Sequence, residues 1–208
     1  MELEDQYGQQ EGTGDGPVPF FSVQTHDGPQ PPAGRAATHK TERSDPVKLL
    51  IRQGRLVDPV GGIGGVMDIL MEDGKVTVIG SNINEPDAQV IDAAGLTVCA
   101  GLVDMHVHLR EPGFEYKETI ETGAASAAHG GFTSIACMPN TRPTVDCPEQ
   151  VEFVRRKAEQ ACGVHVWPIG AVSRGQRGQE LTDFEALKAA GVVALSDDGV
   201  PIQNANLM

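Results

Sequence analysis

The pattern of hydrophobic and polar positions changes character at Val47. Residues 1–46 show no helix or strand periodicity and contain six glycines and six prolines, with eight acidic and three basic side chains for a net charge of −5. So little apolar burial is available there that it would not offset the entropy lost on ordering the chain. The pattern predicts a disordered, acidic tail over residues 1–46.

Residues 47–98 carry short apolar or alternating runs, separated by Gly, Asp and Asn residues. The clearest runs are Val47–Arg52, Gly65–Met71 and Lys75–Ile79. Period-2 alternation bounded by turn residues is typical of β-strands joined by tight turns. These residues are therefore predicted to form a small, antiparallel, β-sandwich-like module.

A nearly continuous apolar run from Leu96 to Leu109 then predicts a strand that is buried on both faces. Helical and strand patterns alternate after it. The predicted helices cover about Tyr116–His129, Pro148–Cys162 and Thr182–Ala190, and the predicted strands cover Thr133–Met138, His165–Val172 and Val192–Leu195. Thr182 to Glu185 also matches a capping box.

Repeated βα units indicate an α/β fold with a parallel sheet and right-handed crossovers. A closed barrel of this type needs eight strands, and four are predicted here. Residues 99–208 are therefore expected to form the N-terminal half of a TIM-type (β/α)8 barrel.

The charge balance excludes several classes of partner. The chain has 29 acidic and 16 basic side chains, for a net charge of −13, whereas nucleic acids and anionic membrane surfaces attract clustered Lys and Arg. No apolar run approaches the roughly 18 residues of a membrane-spanning helix, and the acidic start is unlike a secretory signal. A cytoplasmic protein with no nucleic-acid or membrane partner is expected.

Four cysteines are present at Cys99, Cys137, Cys147 and Cys162, and no two of them have CxxC spacing. This spacing argues against a zinc ribbon or a thioredoxin-type redox pair. The residues are predicted to be buried, reduced thiols.

The clearest chemical feature is the pair His106 and His108 at the end of the apolar run. Side chains two residues apart on a strand lie on the same face, so both imidazoles can reach one metal ion. The C-terminal ends of barrel strands are also where active sites lie. The alternative interpretation is that two surface histidines share a strand face by accident.

Two further polar clusters follow predicted strands. Asn140 lies in Met138–Pro143 and offers an amide donor and acceptor to a polar substrate, although Asn beside prolines is also ordinary loop chemistry. Asp197 and Asp198 follow the last predicted strand. Adjacent side chains face opposite ways, so one of these carboxylates at most can join the histidines in binding Zn²⁺ or bridge two such ions. The alternative is a simple turn.

These motifs resemble the dihydroorotase family of the amidohydrolase superfamily. His106–Gly113 reads His-Val-His-Leu-Arg-Glu-Pro-Gly, Met138–Pro143 reads Met-Pro-Asn-Thr-Arg-Pro, and Ser196–Pro201 reads Ser-Asp-Asp-Gly-Val-Pro. The resemblance covers roughly Val47 to Met208. Allantoinases share the HxH and Glu-Pro-Gly elements but generally differ after Met-Pro, and dihydropyrimidinases usually lack the Leu-Arg-Glu-Pro-Gly run.

The resemblance implies one or two zinc ions and a reversible conversion of N-carbamoyl-L-aspartate to dihydroorotate in pyrimidine biosynthesis. It implies His106 and His108 as metal ligands, with Asp198 as the aspartate that replaces a carboxylated lysine and Asp197 as the second choice. It also implies that Arg110 binds the substrate carboxylate through a bidentate pair and that Asn140 binds the substrate. Two more histidine ligands and a catalytic aspartate are expected on later strands, so no catalytic residue is assigned.

Other interpretations remain open. The chain could belong to another cyclic amidohydrolase, such as an allantoinase or hydantoinase, although Arg110 and Asn140 argue against that. It could be a non-catalytic homologue that acts as a structural partner of aspartate transcarbamoylase. A half-barrel that forms a homo-oligomer to complete its site is the last alternative.

Overall fold

The computed structural model describes residues 48–161 and 163–207. The predicted disordered tail, residues 1–46, lies outside the described residues. Within these ranges every helix is too short or too polar to cross a lipid bilayer.

The first part of the described chain, from Lys48 to Cys99, contains one five-stranded sheet. Its strands are β1 (Lys48–Asp58), β2 (Ile63–Glu72), β3 (Lys75–Gly80), β4 (Gln89–Asp92) and β5 (Thr97–Cys99). The first three are antiparallel neighbours in the order β3-β2-β1, whereas β4 and β5 both pair with β1 in parallel. Ile51, Leu56, Ile69, Met71 and Ala93 form its core.

This arrangement corrects the prediction of an antiparallel, sandwich-like module. The described residues contain one mixed sheet here, because the chain leaves β3 at one edge and returns along the free edge of β1 in the direction of β1. Strand pairing between segments distant in sequence does not follow from local alternation. The alternation did locate the first three strands.

The buried carboxylate of Asp68 stabilises a β-bulge in β1. The β1–β2 register shifts between Ile51 and Gly54, and Gln53 has a φ of 58°. Asp68 is 6% exposed, and its Oδ1 and Oδ2 accept hydrogen bonds from the backbone N–H groups of Gln53 at 2.9 Å and Ile83 at 3.0 Å. A bulge leaves backbone donors outside the ladder, and Asp68 accepts from one of them, the Gln53 N–H, as well as from Ile83 in the connection after β3.

The second part of the chain forms a four-stranded parallel sheet in the sequential order β6-β7-β8-β9, with a helix in each connection. The elements are β6 (Leu102–Val107), α1 (Ile120–His129), β7 (Phe132–Cys137), α2 (Pro148–Ala158), β8 (His165–Gly170), α3 (Phe184–Ala190) and β9 (Ala194–Leu195). Apolar side chains of the helices and of β7 and β8 form the larger core. The predicted α/β class and parallel sheet are confirmed for these residues.

Two helices begin later than predicted, for reasons of capping. Helix α1 starts at Ile120 and not near Tyr116, because the Thr119 side chain caps it by accepting from the Thr122 N–H. Helix α3 starts at Phe184 because Asp183 is its N-cap. The predicted capping box at Thr182 is wrong: the Thr182 hydroxyl instead donates to the carbonyl oxygen of Ala171 at 2.7 Å.

The long buried strand predicted over Leu96–Leu109 is two strands, β5 in the first sheet and β6 in the second. Strand β6 is also not buried on both faces, since Leu102, Val103 and Met105 are 49%, 64% and 77% exposed. Among the described residues β6 pairs only with β7 and lies at the edge of the sheet. Apolar sequence alone does not reveal whether a neighbouring element covers a strand.

Three of the four cysteines are among the described residues, and their different accessibility corrects the prediction that all are buried; Cys162 lies outside the described residues. Cys99 is exposed, Cys147 is half-buried and Cys137 is buried. Burial raises the pKa of the Cys137 thiol to about 12, and burial is also the main cause of the raised pKa of Cys147.

Thiol alkylation is therefore expected to separate these positions. Because the thiolate is the reacting form, iodoacetamide at pH 8 should modify Cys99 rapidly and leave Cys137 unmodified in the folded chain. Peptide mass spectrometry before and after adding denaturant measures both. Equal rates for Cys99 and Cys137 without denaturant would contradict the burial of Cys137.

Candidate metal and substrate site

The two histidines lie together at the C-terminal end of β6. His106 is in the strand and His108 follows its last residue, and the rings meet edge to face with centroids 5.3 Å apart. The Asp104 carboxylate accepts a hydrogen bond from the His106 backbone N–H at 3.0 Å, which fixes the end of the strand. His106 is exposed and His108 is half-buried.

Asp198, three residues beyond the end of β9, completes a cluster with both histidines. The Nε2 atom of His106 lies 3.2 Å from Asp198 Oδ1, and the Nε2 atom of His108 lies 3.5 Å from Asp198 Oδ2. One ligand atom from each residue fits within 4.8 Å of the others. The histidines belong to the strand at one edge of this sheet, and Asp198 follows the strand at the other edge. The structure thus brings together three residues that sequence analysis had placed in one site.

Asn140 links two members of this cluster, beyond the end of β7. Its side-chain Nδ2 donates to Asp198 Oδ2 at 2.8 Å, and its Oδ1 lies 3.1 Å from His108 Nδ1. When Asn140 Oδ1 accepts a hydrogen bond from Nδ1–H, the Nε2 lone pair of His108 is directed at the cluster, which is the tautomer that a metal ligand needs. The sequence indicated Asn140 only as a substrate-binding residue, and this orienting contact was not predicted.

Asp197 lies on the other side of the chain from the cluster. Its side chain is 7% exposed and forms hydrogen bonds with Val172 and Ser173, not with either histidine. Strand alternation indicated that only one of the two aspartates faces the site. The structure brings Asp198, and not Asp197, to the histidines.

The loops after β6 and β7 contact each other through their backbones. The Arg142 N–H donates to the Pro112 carbonyl at 2.9 Å. Gly113 has a φ of 93°, and a Cβ at this position would lie 2.1 Å from the Arg142 carbonyl oxygen. Only glycine allows this approach, so Gly113 sets the spacing between the loop that carries Arg110 and the loop that carries Asn140.

Glu111 attaches the first of these loops to two helices. It is 6% exposed, its Oε2 accepts from the Ile120 N–H at the start of α1, and its Oε1 lies 2.8 Å from Lys157 Nζ on α2. Hydrogen bonding to Glu111 is the main cause of the raised pKa of Lys157. Sequence analysis gave Glu111 no role, because its partner Lys157 lies on a different element, 46 residues further along the chain.

Arg110 lies on this loop, half-buried and with a φ of 62°. Among the described residues its guanidinium forms no ion pair with a carboxylate. A guanidinium held on an anchored loop and not neutralised by a neighbouring carboxylate is available to an anionic ligand.

The chemistry of the cluster fits a divalent metal ion. Two imidazole nitrogens and one carboxylate oxygen form a donor set that suits zinc and other borderline metals, and three protein ligands leave positions for water or substrate. The cluster lies at the C-terminal ends of parallel strands, where ligands bind in α/β sheets.

A comparison with protein families identifies the family of this part of the chain. The family model described as dihydro-orotase-like matches residues 95–208, which include all of the cluster and both loops. The chain belongs to the dihydro-orotase-like family.

The dihydro-orotase-like chain is similar to curated proteins named dihydroorotase. It is 54% identical over 160 residues to the dihydroorotase of Acetivibrio thermocellus and 48% identical over 160 residues to that of Solibacter usitatus. These alignments include 77% of this chain but 38% and 37% of the two relatives. The chain therefore spans less than two fifths of the length of the relatives it matches.

Solved structures similar to the dihydro-orotase-like chain are cyclic amidohydrolases. The L-hydantoinase of Arthrobacter aurescens matches with a TM-score of 0.61 and 28% identity, covering 71% of this chain and 32% of that one. A dihydropyrimidinase from Brevibacillus agri matches with a TM-score of 0.52 and 31% identity, covering 61% of this chain and 28% of that one. The matched residues of this chain therefore share the fold of the corresponding parts of these structures.

Proposed function

We propose that this chain carries the first part of a zinc-dependent dihydroorotase, an enzyme that interconverts N-carbamoyl-L-aspartate and dihydroorotate. In this proposal residues 99–208 form the N-terminal half of a (β/α)8 barrel, and residues 47–98 form a separate β-module. The observation that carries the proposal is the convergence of His106, His108 and Asp198 beside the loop that bears Arg110.

In the proposed site His106, His108 and Asp198 hold one zinc ion or share two. A zinc ion supplies Lewis acidity, which activates water and polarises an amide carbonyl at neutral pH. The chain itself orients the ligands: Asn140 accepts a hydrogen bond from Nδ1–H of His108 and donates one to Asp198. These contacts keep the His108 Nε2 atom and the carboxylate pointing at one place before a substrate arrives.

Arg110 gives the site its preference for a substrate that carries a carboxylate. Both N-carbamoyl-aspartate and dihydroorotate carry a carboxylate, and a guanidinium binds it through two parallel hydrogen bonds. The contacts of Gly113 and Glu111 anchor the loop and thereby hold the backbone of Arg110 in place. Asn140 also faces the site and is proposed to contact the substrate as well as the metal ligands.

The hydantoinase alternative is less well supported. Identity to the Acetivibrio thermocellus dihydroorotase is 54% over 160 residues, whereas identity to the L-hydantoinase structure is 28%. We further propose a cytoplasmic enzyme that acts on a small molecule. Formation of a homo-oligomer and association with aspartate transcarbamoylase both stay predictions.

Transplanting the segment tests the proposed activity. Residues 95–208 of this chain should replace the matching segment of the Acetivibrio thermocellus dihydroorotase with retention of dihydroorotate hydrolysis. In that chimera Arg110→Ala should raise KM about 30- to 150-fold, because losing a bidentate, charge-assisted contact costs about 2–3 kcal/mol. Steady-state kinetics with dihydroorotate measures this change.

Two matched variants control the experiment. Arg110→Lys keeps the positive charge but loses the two parallel donors of the guanidinium. Its KM should lie between that of the unsubstituted chimera and that of Arg110→Ala. Arg156→Ala removes an exposed arginine from α2 and should leave KM unchanged. An inactive unsubstituted chimera would contradict the proposed function, and an unchanged KM in Arg110→Ala would contradict the role of Arg110.

A further inference from the structure

The buried carboxylate of Asp197 is next to the proposed metal ligand Asp198 in sequence but has its own set of partners. Asp197 Oδ1 accepts hydrogen bonds from the backbone N–H groups of Val172 at 2.8 Å and Ser173 at 3.1 Å. Its Oδ2 accepts from the Ser173 hydroxyl. Ser173 is fully buried, and its Oγ in turn accepts from the Gly178 N–H at 2.8 Å.

These contacts join the segment after β9 to the segment after β8. The backbone adds a parallel connection, since the Ser196 N–H donates to the Gly170 carbonyl at 2.9 Å. The Val200 N–H donates to the Asp197 carbonyl at 2.9 Å, which closes a turn around Asp198. The Asp197 side chain is held on one side of this turn, and the Asp198 side chain extends on the other side to His106 and His108.

We propose that Asp197 is a positioning residue for the metal site: by binding Val172 and Ser173 it fixes the backbone that aims the Asp198 carboxylate at the two histidines. This inference rests on the proposed metal site. The strand β9 has only two residues, Ala194 and Leu195, so the sheet ladder alone provides little support for residue 198. The buried carboxylate supplies the missing constraint.

The Asp197→Asn variant separates the two functions of this carboxylate. The amide oxygen of the new side chain can still accept from the two backbone N–H groups, but the amide nitrogen at the second position no longer accepts from the Ser173 hydroxyl. The volume stays nearly the same and a charge-assisted contact is lost. The variant therefore weakens the hydrogen bonds that hold residue 197 and creates no cavity.

Cobalt binding by the whole chain 1–208 gives a readout that stability alone would not move. We expect Asp197→Asn to raise the Kd for Co²⁺ about 10- to 100-fold, the range found when partners of metal ligands are removed. The visible absorption bands of the bound Co²⁺ should also change in position or intensity, because the direction of the Asp198 oxygen changes. Ser173→Ala removes only the hydroxyl contact and should produce a smaller change in the same direction.

Asp68→Asn provides the matched control. Asp68 is as buried as Asp197 and also accepts from two backbone N–H groups, but it lies in the first sheet. This variant should lower the midpoint of urea unfolding and leave the Co²⁺ affinity and spectrum unchanged. If Asp197→Asn behaves in the same way as Asp68→Asn, the positioning role is overturned.

Failure of the proposed site is distinguishable from failure of this inference. If the unsubstituted chain binds no Co²⁺, or binds it equally well after His106→Ala, the metal site itself is wrong and Asp197 loses its role with it. If Asp197→Asn does not fold, Ser173→Ala decides: an affinity and spectrum identical to those of the unsubstituted chain would overturn the inference.

Discussion

Replacing Asp198 with alanine is expected to weaken zinc binding by the chain about a hundredfold. Asp198 is the carboxylate that lies within 3.5 Å of both histidine Nε2 atoms, so its loss leaves two imidazoles. Four-ligand zinc sites bind with about 10–16 kcal/mol, or about 3 kcal/mol for each ligand, and 3 kcal/mol is about a hundredfold in affinity. Competition with a chromophoric zinc chelator measures the change.

The control for this prediction is a carboxylate elsewhere on the surface. Asp87 is exposed in the connection between β3 and β4, and Asp87→Ala should leave zinc affinity unchanged. His108→Ala should weaken binding as much as Asp198→Ala does. Equal affinity in Asp198→Ala and Asp87→Ala would show that zinc binds elsewhere on this acidic chain.

Replacing Gly113 with alanine is expected to destabilise the chain by about 2–5 kcal/mol. A non-glycine residue at a φ of 93° costs about 1–2 kcal/mol, and overpacking against a neighbour costs about 1–3 kcal/mol more. The neighbour here is the Arg142 carbonyl oxygen, 2.1 Å from the position of the added Cβ. A backbone atom does not rotate away as the end of a side chain does, so the two loops must separate.

Gly131→Ala separates the clash from the conformational cost. Gly131 has a φ of 81°, and a Cβ there would meet no atom within 4 Å. It should therefore lower the free energy of unfolding by only about 1–2 kcal/mol. Urea titrations of both variants measure the difference, and equal losses would contradict the close approach of the two loops.

The cluster could be predicted in part from the residues themselves, whereas the choice of Asp198 over Asp197 rested on the resemblance to the family. Alternation along a strand puts His106 and His108 on one face, and the same rule allows only one of Asp197 and Asp198 to face them. Parallel strands gather their C-terminal ends at one edge, which brings residues far apart in the chain into one place. The parallel sheet itself was predicted from the alternation of strand and helix patterns along the chain.

The remaining features depend on contacts between distant segments. The parallel pairing of β4 and β5 with β1 is set by where the chain returns, and no local pattern records it. The exposure of β6 depends on which neighbours cover it. The Glu111–Lys157 ion pair and the Asp197–Ser173 hydrogen bond likewise join residues on different elements, so sequence spacing provided no indication of them.

The central claim is that His106, His108 and Asp198 hold a zinc ion. X-ray absorption at the zinc edge, with one equivalent of zinc on the chain, tests it most directly. We expect a first shell of nitrogen and oxygen at about 2.0–2.1 Å and the outer-shell scattering of two imidazoles. The imidazole scattering should disappear in the double variant that carries both His106→Ala and His108→Ala. A first shell containing sulfur at about 2.3 Å would show that cysteines bind the metal and would contradict the claim.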